Sequence, residues 1–150
     1  MRYNYRMKLM AADLSLVKEK YGVLIGEITY ISPKIYIRGQ LCYSFSVDIY
    51  AIKYRSISNK RKYRYLMRPS KGQKYGILSC TLTLPYYHNY TDIHTELLHR
   101  KIKFYGVFKL LKRGKTYRTC KYVMTNIQKM EYKTQNEDEV KQLHGQTISR

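Results

Sequence analysis

The stretch from Gln40 to Ile52 constrains the fold most. Leu41, Tyr43, Phe45, Val47, Ile49 and Ala51 alternate there with Cys42, Ser44, Ser46, Asp48 and Tyr50. A period of two sustained over this length marks an antiparallel strand with one face packed and the other open. A helix would space its apolar residues three and four apart. The alternation returns in residues 74–84 (KYGILSCTLTL), with Leu78, Cys80, Leu82 and Leu84 on the inner face. It returns again in residues 100–112, where Ile102, Phe104, Gly106, Phe108 and Leu110 read inward and Lys101, Lys103, Tyr105 and Lys109 outward. The chain is expected to be mainly β.

The remaining segments fit around these strands. Residues 22–31 (GVLIGEITYI) are rich in β-branched side chains and too short for a helix, so they read as a first strand with Gly26 at a bulge or bend. Pro33 and Gly39 mark a turn region over residues 31–39. After Pro85, Thr91 or Asp92 caps a short helix running to about His99, with Ile93, Leu97 and Leu98 along its apolar edge. Gly114 places a hairpin turn in residues 112–115, and residues 116–131 form a last, less regular strand. At the start, residues 1–20 read as a basic arm that becomes a short helix over about residues 11–20. Leu14 and Val17 give that helix its apolar edge and Gly22 ends it. From Lys133 onward the chain is polar, which predicts a mobile tail over residues 133–150 with one helical turn between Asn136 and Gly145. A length of 150 residues suits a single domain, here residues 21–132.

The segment from Ala51 to Lys74, AIKYRSISNKRKYRYLMRPSKGQK, follows neither pattern. It carries Lys53, Arg55, Lys60, Arg61, Lys62, Arg64, Arg68, Lys71 and Lys74, with Tyr54, Tyr63 and Tyr65 between them. No carboxylate occurs anywhere from Ile49 to Thr91. Cations interleaved with flat rings suit a polyanion that also offers stacking faces, which describes a nucleic acid with accessible bases. The whole chain has a formal net charge of +19 and eighteen tyrosines. An excess of this size repels itself in the folded state, so a polyanionic partner accounts for it better than a solvated basic hairpin does. Ser58-Asn59 places the hairpin tip, and Pro69 to Gly72 a second turn.

Little in the sequence suggests chemistry. A catalytic site needs convergent acids, bases or metal ligands. Asp13, Glu19, Glu27, Asp48, Asp92 and Glu96 are scattered singly, unlike the acidic set of a two-metal nuclease or polymerase. His88, His94 and His99 lie close in sequence, but their spacings put no two of them on one helical face. No Gly-rich phosphate loop is present. Cys42, Cys80 and Cys120, about forty residues apart, form neither a zinc motif nor a secreted disulfide framework. They read as buried thiols in a reducing compartment, cytoplasm or nucleus. No apolar run approaches the roughly 20 residues that span a bilayer, and the N-terminus lacks the apolar stretch of a secretory signal. Its first twelve residues, basic and free of acids, also suit an organelle presequence. The expectation is a non-enzymatic intracellular protein with no metal, cofactor or membrane partner.

The order of three strands, a short helix and two strands resembles the OB-fold family. The residues that carry the resemblance are Gly22-Val23-Leu24-Ile25-Gly26-Glu27-Ile28 and Lys101-Ile102-Lys103-Phe104-Tyr105-Gly106. The resemblance is one of pattern and spans about residues 21–131. It implies a five-stranded Greek-key barrel with the helix between strands 3 and 4, the glycines lying where the strands coil to close it. Here a basic β-hairpin insertion, residues 53–74, lengthens the connection between the second and third strands. Either residues 74–84 or residues 60–67 then supply the third strand. Ligands of this family cross the second and third strands, so the resemblance implies one groove bordered by the basic arm and by the outward face of residues 101–109.

The expected function is non-catalytic binding of nucleic acid, single-stranded DNA by preference and RNA as a further candidate, with little sequence selectivity. Lys53, Arg55, Lys60, Arg61, Lys62, Arg64 and Arg68 would contact phosphates from the arm, and Lys101, Lys103 and Lys109 from the later strand. Tyr50 and Tyr54 are the rings favoured for stacking, with Tyr63, Tyr65 and Tyr105 beside them. The alternative is an accessory subunit of a replication, telomere-type or ribosomal assembly that acts mainly through protein contacts.

Overall fold

The computed structural model describes residues 19–55, 62–69, 74–85, 92–112, 114–115, 119–134 and 139–146. Its strands are β1 (Lys20–Ile31), β2 (Ile35–Ile37), β3 (Gln40–Arg55), β4 (Arg64–Met67), β5 (Ile77–Leu84), β6 (Lys101–Lys112), β7 (Lys121–Met124), β8 (Ile127–Lys133) and β9 (Val140–His144). A short helix, α1 (Ile93–Leu97), separates β5 from β6. β1 pairs with β3, β3 with β5, β5 with β7, β7 with β6, and β6 returns to β1. The β5–β7 pairing is parallel and the others are antiparallel, which makes a closed five-stranded mixed barrel.

The alternating sequences build the interior. Ile102, Phe104 and Phe108 of β6 and Leu78, Leu82 and Leu84 of β5 point inward and are buried, together with Leu24, Phe45, Val47, Ile49, Tyr122 and Met130. Burying one such side chain contributes roughly 1.5–3 kcal/mol. Barrel closure demands close strand approach, and glycine supplies it. Gly22 and Gly106 face each other across β1 and β6. A Cβ at Gly22 would strike the Phe108 ring and the Lys53 carbonyl, and one at Gly106 would lie 2.8 Å from the Met124 sulfur. At Gly26 a Cβ would meet the Asp48 carbonyl. Here the β1–β3 register slips, with Ile25 opposite Ala51 but Gly26 opposite Ile49. Tyr50 is the extra residue of this bulge, as the expected bend at Gly26 required. The phase of β3 therefore flips at Tyr50: Ile52, opposite Leu24, takes the inner row, and Ala51 moves to the face of Ile25.

Both candidates for the third strand turn out to pair with β3. β5 takes Leu41–Asp48 and β4 takes Ile52–Tyr54, along the same edge. Leu66 and Met67 anchor β4 to the core, so this part of the basic insertion is a sheet extension of the barrel. The expected hairpin tip at Ser58-Asn59 lies outside the described residues. The turn region 31–39 contains β2, joined to β3 by a two-residue turn in which Arg38 (φ 50°) and Gly39 (φ 78°) are both left-handed.

Two other expectations change, and a third lies largely outside the described residues. The N-terminal helix falls outside the described residues except at Glu19 and Lys20, and Lys20 already belongs to β1. The irregular last strand is two strands, β7 and β8, broken at Thr125-Asn126; the break explains its blurred alternation. Residues 140–144 form β9, not a mobile tail or a helical turn. Leu143 packs opposite Met130 and is buried, and the Gly145 and Gln146 amides donate to the Gln128 and Thr83 carbonyls. One buried apolar side chain, Leu143, and the ladder to β8 hold this edge strand in a polar run. α1 begins as expected, with Asp92 accepting from the Thr95 amide as N-cap and Ile93 and Leu97 buried, but it ends at Leu97, and Leu98, expected on its apolar edge, is exposed.

Two substitutions check this packing in urea unfolding. Leu143→Ala should cost roughly 2–5 kcal/mol if β9 docks as described, and nothing if the segment is free. Gly26→Ala should cost roughly 1–3 kcal/mol through overpacking against Asp48 and Val47, and an unchanged midpoint would contradict the close approach.

Candidate nucleic-acid interface

Because residues directly opposite across a sheet share a face, the registers define rows on the barrel exterior. One row runs Tyr65, Lys53, Val23, Tyr105, Lys129, His144 across β4, β3, β1, β6, β8 and β9. A neighbouring row runs Arg55, Tyr21, Val107, and the row on the other side runs Ala51, Ile25, Lys103, Glu131, Gln142. Successive rows lie about 6.8 Å apart, two residues along a strand.

Rings and cations alternate on this face. The Lys53 ammonium lies 4.8 Å from the Tyr65 ring centre, the Arg55 guanidinium 4.1 Å from Tyr21, and the Lys129 ammonium 4.2 Å from Tyr105. Arg68 also approaches Tyr65, at 5.4 Å, and Arg55 approaches Tyr63, at 5.8 Å. Each contact is worth only about 0.5–1 kcal/mol at an exposed site, so a phosphate can draw the cation away and leave the ring face open. The Nε of Arg55 is buried and has no hydrogen-bond partner.

Carboxylates are few here, and they position side chains. Glu131 receives hydrogen bonds from the Tyr105 hydroxyl and the Gln142 amide, both at 3.4 Å, and sits 3.8 Å from the Lys129 ammonium. Burial, and then the Glu131 charge, push the Tyr105 phenol above its ordinary value of 10.0.

The residues expected from sequence are only partly gathered. Lys53, Arg55, Tyr63, Tyr65, Arg68 and Tyr105 meet on this face. Lys101, Lys103 and Lys109 line the exposed outer side of β6, Lys109 toward the β7 end. Lys62 and Arg64 are exposed, Arg64 at the start of β4 opposite Tyr54. Lys60 and Arg61 lie outside the described residues. Tyr54, opposite Gly22, packs against the core. Tyr50 lies near Glu27 and Asp48, whose charges add to burial in raising its phenol pKa. Lys74 is held 2.8 Å from Asp48. The second and third barrel strands, where the implied groove would run, present the hydroxyls of Ser44, Ser46, Ser79 and Thr81 around a depression of about 280 Å³. The basic and aromatic face lies instead across β4, the Lys53–Arg55 end of β3, β1, β6 and β8.

Sequence reasoning missed Tyr21 and Lys129. Tyr21 is placed only by its register opposite Arg55 and Val107, because residues 22–24 are buried in succession and show no alternation. Lys129 was hidden by the break before β8.

Among the described residues no three His, Cys, Asp or Glu side chains converge as metal ligands would. Cys42, Cys80 and Cys120 are buried thiols, and burial holds Cys80 far from ionisation. Comparison with models of known protein families, with curated proteins and with solved structures finds no match.

The tyrosines give a pH test. A phenol whose folded pKa is raised binds its proton more tightly folded than unfolded, so stability should fall as pH rises past 10, through the titration of Tyr43, Tyr50 and Tyr105. Glu131→Gln should lower the Tyr105 midpoint in an absorbance titration against the parent. An unmoved midpoint would contradict the Glu131 contact.

Proposed function

We propose that the protein binds nucleic acid, single-stranded by preference and with little sequence selectivity, and catalyses no reaction. The observation that carries this reading is the face on which Tyr21, Tyr63, Tyr65 and Tyr105 alternate with Arg55, Lys53, Arg68 and Lys129. On binding, the cations move from ring to phosphate and the rings stack on bases, each stacked base contributing roughly 1–3 kcal/mol. A duplex keeps its bases paired and offers only phosphates, so it gains half of this arrangement. The barrel itself we read as an OB fold: α1 stands between the third and fourth barrel strands, as that family has it, and the ring closes between the first strand and the fourth.

A second reading draws on β2. Ile35 and Tyr36 are more than half exposed, as is nearby Tyr30, and Ile37 is 41% exposed. Apolar side chains exposed on both faces of an edge hairpin favour an accessory subunit of a nucleic-acid assembly, docked through protein contacts.

Fluorescence anisotropy with internally labelled oligo-dT and a matched duplex, at 50 and 200 mM salt, separates the readings. Stacking requires a single-strand preference that persists at the higher salt. Equal binding that vanishes with salt would reduce the face to a charged surface, and no binding to either would favour the accessory subunit. Tyr65→Ala and Tyr105→Ala should each cost roughly 1–3 kcal/mol of affinity, and Tyr50→Ala little. Joint replacement of Lys53, Arg55 and Arg68 by alanine should flatten the log–log salt slope by about 2, at about 0.7 for each phosphate no longer neutralised.

A further inference from the structure

Below the Tyr105 row the outer face does not continue flat. It sinks into a cleft of about 550 Å³, lined by Ile25, Lys101, Lys103, Glu131, Lys133, Thr134, Val140 and Arg100 among others. Such a volume lies in the range of small-molecule sites and exceeds what a bare phosphate needs.

The charges on its walls are unbalanced. Among the described residues the side chains of Lys101, Lys103 and Lys133 have no ion-pair partner. Arg100 donates from Nε to the Glu96 carbonyl at 2.6 Å and from Nη1 to the Lys133 carbonyl at 2.8 Å, so its charge meets no carboxylate. The lining carboxylate, Glu131, is already shared by Tyr105, Gln142 and Lys129. Thr134 adds a second, independent sign: its hydroxyl oxygen is buried in this wall with no hydrogen-bond partner. A buried hydroxyl left unmatched is unfavourable, and a bound acceptor would satisfy it.

We propose that this cleft binds a phosphate monoester carried on a nucleotide. Several cations around one engaged carboxylate favour a dianion over the single charge of an internal phosphodiester. Ile25 and Val140 offer apolar contact for the sugar and base, and Tyr105 stands one row away. The nucleotide is either the phosphorylated end of a strand lying on the tyrosine face or a free mononucleotide. Only the first source rests on the function proposed above.

The test uses the full chain and oligo-dT labelled internally, with a 5′-phosphate, a 3′-phosphate or hydroxyls at both ends, and thymidine monophosphates as competitors. Charge-assisted hydrogen bonds to the extra charge should make one phosphorylated form bind about tenfold tighter than the hydroxyl-ended strand. Lys133→Ala should erase that preference while leaving the hydroxyl-ended affinity unchanged. This variant keeps the carbonyl on which Arg100 rests, and Thr134→Val, which removes a hydroxyl with no protein partner, is a second variant that should fold. If no strand binds but thymidine monophosphate does, and Lys133→Ala abolishes it, the cleft stands and the strand-binding face falls. Strands that bind equally whatever their ends, without competition from the mononucleotides, would overturn the cleft and spare the face. No binding of strand or mononucleotide would overturn both.

Discussion

A strand paired along both edges leaves only its two faces free, and β1 is such a strand. Its inner face, through Leu24 and Ile28, fills the barrel, and its outer face becomes the floor between β3 and β6. Lys53 and Tyr105, remote in sequence, are neighbours in one row because Val23 lies between them. This arrangement depends on Gly22 and Gly26, where any side chain would strike the β3 backbone, and on Gly106, where one would displace Met124. The surface chemistry is thus set by backbone packing inside the wall. A change at Gly26 would act on Lys53 and Tyr105 by moving the strands that carry them.

The electrostatics of the outer face follow from how few acids the chain has. With a formal net charge of +19, cations cannot all find carboxylates. Several instead rest on tyrosine rings, a weak and exchangeable arrangement that keeps both partners ordered and extended over the sheet. The available acids serve placement. Glu131 orients Tyr105 and Lys129, and Asp48 ties Lys74 back to the barrel where the insertion rejoins it. In that last pair Lys74 is exposed and Asp48 half-buried, so solvent screens part of the attraction. Self-repulsion of the remaining charge would be relieved by a polyanion, which is the driving force the proposed function draws on.

Much of the barrel was legible from period alone. The alternations at Leu41–Ile49, Leu78–Leu84 and Ile102–Phe108 reappear as buried inner rows, and Asp92 caps the helix as its position suggested. What escaped were features that depend on partners across the sheet. The phase flip after Tyr50 needs the close approach of Gly26 to Asp48, which no local pattern reveals. β9 needs the free edge of β8 and a site for Leu143 over Met130. The site was legible in its composition and not in its layout. The basic arm and the outer side of β6 were both identified, but Tyr54 looks outward by sequence and packs inward once β3 has bulged. Tyr21 and Lys129 enter only through register.

The central claim is that a nucleic-acid strand lies on the outer face of β4, β3, β1, β6 and β8. Photocrosslinking of oligo-dT bearing 5-iodouracil, with the attachment sites mapped by mass spectrometry, tests it most directly. Crosslinks are expected at Tyr21, Tyr63, Tyr65 and Tyr105. Crosslinks concentrated instead at Tyr30 and Tyr36, or along the hydroxyl-lined face of β3 and β5, would contradict it.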